Sequence, residues 1–182
     1  MKDDPNVVAY IDGANLHKGV QSLGWQLDYA RFRAWLSHRF GIGKAYLFIG
    51  MIPKYKNLYT HLGECGFLLV YKEVVYGNDG RAKGNCDADL IVRAMQDAYE
   101  GTLREAIIVT SDGDYAPLIE VLLKRKQLHA ILSPSPSARC SVLLKRTGAR
   151  IVYLDDKKAL VSPEKKRPPA GTHPHKGPFR SE

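Results

Sequence analysis

The chain has 182 residues, 45% of them hydrophobic. That is enough for one domain with its own core and too little for two ordinary ones. No run approaches the roughly 18 apolar residues of a membrane span. The short acidic segment Met1–Asn6 lacks the basic and apolar regions of a signal peptide. Three widely separated cysteines, Cys65, Cys86 and Cys140, form neither a disulfide framework nor a CxxC zinc site, so a reduced, cytoplasmic setting is expected. The net charge of +8 is unevenly spread, with seven Lys/Arg against two Glu from Lys157 onward. Such a tail either holds a polyanion by counterion release or serves as a solvated end.

In chain order, Val7–Asp12 is an apolar, β-branched run that reads as a strand. Gly13–Leu23 and Tyr29–Phe40 read as helices. Ala45–Met51 is a second strand, Lys54–Cys65 a helix after Pro53, and Phe67–Val75 a third strand. Asn78-Asp79-Gly80 is a turn signal. Ala88–Tyr99 has helical periodicity, Ala106–Thr110 is a fourth strand, and Tyr115–Lys126 is a helix striped by Leu118, Ile119, Leu122 and Leu123. His129–Leu132 is a fifth strand, Ala138–Thr147 a helix and Arg150–Leu154 a sixth strand. The Pro/Gly/Lys-rich stretch from Lys157 to Glu182 cannot bury a core and reads as a disordered tail. Residues 1–156 are therefore one domain and 157–182 its tail.

Short apolar strands alternating with amphipathic helices predict an α/β fold, a mostly parallel sheet with helices on both faces. Such sheets carry their sites beyond the strand carboxyl ends, where strand order reverses. Asp12 directly follows the first strand, and Asp112 and Asp114 follow the fourth, in Thr110-Ser111-Asp112-Gly113-Asp114. Asp87 and Asp89 open the helix between them. Two residues apart, they do not share a helix face, and Asp87 is the one expected to turn inward. Any one such aspartate is most simply a helix cap or turn residue. Three segments delivering Asp to one sheet edge point instead to a hard-oxygen site for Mg²⁺ or Mn²⁺, the metals of phosphodiester hydrolysis.

The segments Ile11-Asp12-Gly13-Ala14-Asn15-Leu16, Lys83-Gly84-Asn85-Cys86-Asp87-Ala88-Asp89-Leu90 and Thr110-Ser111-Asp112-Gly113-Asp114-Tyr115-Ala116-Pro117-Leu118 resemble the three motifs of the NYN domain. That domain occurs in LabA-like proteins of the PIN-like nuclease group. The resemblance runs from Val7 to Asp155. It implies a three-layer α/β/α sandwich, an acidic Mg²⁺/Mn²⁺ site and ribonuclease activity. The family's acidic positions fall on Asp12, Asp87, Asp112 and Asp114, and its polar position on Asn15. The middle motif usually reads Lys-Gly-x-Asp, whereas Asn85 and Cys86 place one extra residue before Asp87 here.

Substrate phosphates have candidate partners in Lys18, Lys83, Arg93, Ser111 and Arg139, with Lys83, in its Gly-flanked loop, foremost. Arg93 is also placed for a helix-surface ion pair with Asp89. Tyr55, Tyr59, Tyr71 and Tyr76 interleave with Lys54, Lys56 and Lys72, a pattern that suits base stacking, core packing or a homodimer surface. Neither GxGxxG nor GxxxxGK[ST] is present, so dinucleotide and P-loop functions lack their fingerprint. The leading expectation is a metal-dependent ribonuclease acting on single-stranded RNA. A non-catalytic RNA-binding or protein-interaction module is the alternative. An aspartyl phosphatase is disfavoured because Ala14 stands where a second Asp belongs.

Overall fold

The structure is a computed structural model that describes residues 6–73, 75–76, 82–83 and 86–164. Six of the apolar runs hydrogen-bond into one sheet: β1 (Asn6–Asp12), β2 (Ile42–Met51), β3 (Leu68–Glu73), β6 (Leu103–Val109), β7 (Leu128–Ser133) and β8 (Ile151–Tyr153). A separate antiparallel pair, β4 (Val75–Tyr76) with β5 (Ala82–Lys83), lies between β3 and the next helix. The turn signal at Asn78-Asp79-Gly80 lies outside the described residues.

Every neighbouring pair in the main sheet is parallel, in the order β3-β2-β1-β6-β7-β8. The chain begins at the centre, winds outward through β2 and β3, then returns beside β1 and winds out the other way. The winding direction therefore reverses between β1 and β6, whose register pairs Ile11 with Val109. Strand period two sorts the side chains to the two faces. Val7, Ala9 and Ile11 join one core with α1 (Gly13–Ser22), α2 (Tyr29–Phe40) and α3 (Lys56–Glu64). Val8 and Tyr10 join the other with α4 (Asp87–Glu100), α5 (Ala116–Lys124) and α6 (Val142–Arg146). Helices on both faces of a parallel sheet make the three-layer α/β architecture expected from the sequence. Among the described residues no helix is long and apolar enough to cross a membrane.

The helices differ from expectation at their starts. Those expected from Lys54, Tyr115 and Ala138 each open with a 3-10 turn, at Pro53–Tyr55, Gly113–Tyr115 and Ser137–Arg139. The helix after Ser137 is capped not by that residue but by Ser141, which accepts from the Leu143 amide.

The folded region also continues past residue 156, where the sequence suggests a tail. A 3-10 turn at Asp155–Lys157 leads into α7 (Lys158–Val161). Val161 is fully buried in the α1–α3 core, and its carbonyl accepts from the Asp28 amide at 2.9 Å. Arg31 ties the segment down further, donating to the carbonyls of Ala159 (3.2 Å) and Leu160 (3.3 Å) and pairing with Glu164 at 2.7 Å. A single buried valine among lysines leaves little periodicity to detect. Residues 165–182 lie outside the described part. Val161→Ala should cost about 2 kcal/mol, seen as a lower urea midpoint with an unchanged m-value.

Candidate metal centre

The strand parity that sends Ile11 to one core sends Asp12 toward the α4–α5 face. Its carboxylate Oδ1 accepts from the Asn15 amide at 3.0 Å, capping α1. Gly13 then passes so close to β2 that a Cβ would sit 2.7 Å from the Phe48 carbonyl oxygen, so the turn after Asp12 requires glycine. Asn15 reaches across the switch point, where its Oδ1 accepts from the Ser111 amide at 2.8 Å. Ser111 is only 8% exposed. Its hydroxyl bonds Ser133 (3.0 Å) and accepts from the Ser135 amide (3.1 Å), while its carbonyl accepts from Ser141 (3.1 Å). Asn15 and Ser111 thus lace together the ends of β1, β6 and β7.

Beyond Ser111 the backbone turns sharply. The Asp112 amide donates to Thr110 Oγ1 (3.1 Å), and the Asp112 carboxylate caps the 3-10 turn by accepting from the Asp114 amide (3.1 Å). Gly113 lies against α6, where a Cβ would overlap Ser141 Oγ. Asp112, not Asp114, is therefore the cap. Asp87 stands at the first residue of α4. One carboxylate oxygen from each of Asp87, Asp112 and Asp114 lies within 4.8 Å of the others. Asp89 turns elsewhere and pairs with Lys72 of β3 at 3.0 Å.

Asp12 connects to this trio through Tyr115, a residue that the sequence reading does not single out. The buried Tyr115 hydroxyl donates to Asp87 at 2.5 Å and stands 3.4 Å from Asp12 Oδ2. Burial and the two carboxylates push the phenol far above its usual range, so it remains a donor. Burial also raises the Asp12 carboxyl, and Asp87 and Asp112 push it further. The Asn15 amide and Tyr115 oppose the rise. The Cys86 thiol is pushed up to about 11 by burial and then by Asp89, Asp12 and Asp87. Among the described residues the groups that converge are Asp87, Asp112 and Asp114, a donor set of carboxylate oxygens. Like charges this close are unfavourable unless a proton or a cation intervenes. Hard oxygen donors of this kind fit Mg²⁺ or Mn²⁺.

Arg93 is not brought to the cluster. It pairs with Asp97 at 3.1 Å instead of the expected Asp89, donates to the Tyr46 hydroxyl at 2.5 Å, and lies 4.4 Å over the Tyr46 ring. Tyr10 donates to the same Asp97 carboxylate at 2.7 Å. The group anchors α4 to β1 and β2. The Lys83 side chain lies outside the described residues.

The model of the NYN domain matches residues 6–154. The chain belongs to the NYN domain family. NYN domains are PIN-like nucleases, which typically use a divalent metal, and the aspartate cluster lies at that fold's switch point. A crystal structure of a protein of unknown function from Vibrio parahaemolyticus superposes with a TM-score of 0.69 at 21% identity, covering 88% of this chain and 99% of the other. At that identity the likeness concerns the fold. No curated protein sequence matches the chain.

Two consequences of this NYN domain's geometry are measurable. Removing the Tyr115 hydroxyl takes away a hydrogen bond to a carboxylate. Tyr115→Phe should weaken Mn²⁺ binding about tenfold by calorimetry, with an unchanged circular dichroism spectrum. The second concerns pH. Because Asp12 titrates above the ordinary 3.8, the folded chain holds a proton that the unfolded chain releases between those two values. That contribution to stability is present below the unfolded value and is lost as pH rises through the folded one. In EDTA, urea midpoints should therefore shift in favour of Asp12→Asn over the unsubstituted chain as pH rises from 4 toward neutrality.

Proposed function

We propose that this NYN domain is a metal-dependent ribonuclease that hydrolyses phosphodiester bonds of single-stranded RNA at the aspartate cluster. The observation that carries the reading is the convergence of Asp87, Asp112 and Asp114 within 4.8 Å, with buried Asp12 joined to them through Tyr115. A polyanion binder gains nothing from crowding carboxylates where its ligand would sit. In this proposal Asp12, Asp87, Asp112 and Asp114 hold Mg²⁺ or Mn²⁺. The ion, when bound, supplies Lewis-acid polarisation of a phosphoryl oxygen and a lowered pKa for water.

The protein's own contribution is placement. Asp12 orients from the end of β1, its Oδ1 fixed by the Asn15 amide. Asn15 and Ser111 act as positioning residues, because their hydrogen bonds set the spacing between the ends of β1 and β6. Tyr115 keeps Asp87 and Asp12 at a fixed separation. Lys83, in β5 ahead of α4, is assigned to a substrate phosphate. Arg93, expected from the sequence to do the same, is assigned to anchoring α4, since its guanidinium is already engaged by Asp97 and Tyr46. The preference for RNA over DNA rests on the family.

The test is cleavage of an end-labelled single-stranded RNA beside a matched DNA, with Mg²⁺ or Mn²⁺ and with EDTA. Products are expected from RNA with metal and not with EDTA, and Asp112→Asn should lower the rate about a hundredfold or more. Cleavage that persists unchanged in excess chelator would exclude the mechanism. Intact RNA in every lane, with binding retained, would favour the non-catalytic RNA-binding alternative.

A further inference from the structure

The residue after Asp12 opens a second feature. On the face of the sheet away from the carboxylates lies a cleft of about 370 Å³, within the size range of small-ligand sites. The first turn of α1 forms one wall, with Ala14 and His17. Ile49 and Ile52 lie at the end of β2, and Tyr55 and Leu58 form the opposite wall. Tyr55 is 43% exposed and Leu58 41%, more than large apolar side chains need to be at a sheet edge. The turn carrying Tyr55 is held from beneath: the Tyr59 hydroxyl accepts from the Ile52 amide at 2.9 Å and donates to the Gly50 carbonyl at 3.0 Å. Tyr59 is therefore a structural residue; of the two other rings that line the cleft, Tyr29 is half-buried and Tyr55 is the exposed one.

The two segments that supply most of the walls are basic. Residues 13–27 and 42–63 contain no Asp or Glu and carry Lys18, Lys44, Lys54 and Lys56 together with His17 and His61, while Asp12, Asp28 and Glu64 stand just beyond their ends. Lys54 Nζ lies 4.9 Å from the centre of the Tyr55 ring. An apolar slot with one exposed aromatic wall and a cationic rim matches a flat base joined to a phosphate backbone. Ordinary protein partners, with acidic and basic side chains mixed, have no such need.

We propose that this cleft holds one unpaired nucleobase of a single-stranded RNA, stacked on Tyr55, while the backbone crosses the start of α1 and brings the adjoining phosphate to the carboxylates. The proposal rests on the ribonuclease reading of those carboxylates, since Gly13, which borders the cleft, directly follows Asp12. It gives the enzyme a requirement for unpaired substrate, because a base held in a duplex cannot enter the slot.

The full chain carrying Asp112→Asn supplies a non-cleaving background for binding, measured in EDTA by anisotropy of a short fluorescein-labelled single-stranded RNA. Adding Tyr55→Ala should weaken binding about fivefold or more, with the melting temperature unchanged. Single abasic riboses walked along the RNA should reproduce that loss at one position in the Tyr55 chain and add nothing further in Tyr55→Ala. Ala14→Trp, which fills the cleft from the α1 side, should weaken binding similarly. Unchanged affinity in both Tyr55→Ala and Ala14→Trp, or no RNA binding by the background chain, overturns the proposal. So does a Tyr55→Ala chain that sediments at half the mass with unaltered RNA affinity, which would assign the surface to a second copy of the chain. Because no cleavage is read, an unsubstituted chain that fails to cut RNA would end the nuclease reading and leave this result standing.

Discussion

Mutual repulsion among carboxylates is the constraint on which the rest of this molecule depends. Asp87, Asp112 and Asp114 converge within 4.8 Å, and Asp12 lies buried on the far side of Tyr115. Left to themselves, such groups separate or take up protons. The backbone does not let them separate. Asp12 and Asp112 leave neighbouring parallel strands whose register pairs Ile11 with Val109, and that hydrogen-bonded ladder cannot open locally without losing core contacts on both faces. The unfavourable charge density is held in place by the sheet, and a divalent cation is the natural way to relieve it.

The devices around the cluster follow from that constraint. Gly13 follows Asp12 and Gly113 follows Asp112, and each stands where a Cβ would collide with a neighbouring element. Both turns therefore have to be made in the tightest possible space. Asn15 and Ser111 spend their polar atoms on each other and on Ser133 and Ser135, which sets the distance between strand ends. Tyr115 provides a neutral donor placed between two nearby carboxylates.

Helix α4 shows how far the support reaches. Asp87 stands at its first residue, and Asp97 lies about 15 Å along it at 1.5 Å per residue. There Tyr10, Arg93 and Tyr46 close a hydrogen-bonded group beneath the helix. A buried carboxylate held by Tyr10 and by an Arg93 that is itself bonded to Tyr46 resists displacement, so α4 is pinned near its far end to β1 and β2. Lys72 holds Asp89 near its start. Asp87 is then presented by a helix tied down near both ends.

Much of this was legible from residues 1–156 alone. Short, continuous apolar runs alternating with helical stripes announce a parallel sheet, and a sheet of that kind announces where its site lies. Asp12 and Asp112 were readable because each stands just beyond a strand's apolar run, Asp114 because it opens the next helix, and Asp87 because it precedes a helical stripe. Other features were not. Tyr115 sits in an apolar stripe and looks like core, and only the meeting of β1, α4 and the Gly113–Tyr115 turn gives its hydroxyl two carboxylates. Arg93 has an acidic residue four positions away on either side, and Tyr46 from another strand decides between them. Val161 hides among lysines, and its burial is visible only once α2 lies against it. The sequence by itself determined the layer architecture and which edge carries the acid, because both follow from periodicity and strand direction. The tertiary structure alone decided which polar groups meet, because those pairings join residues up to 133 positions apart, and local pattern carries no record of such distances.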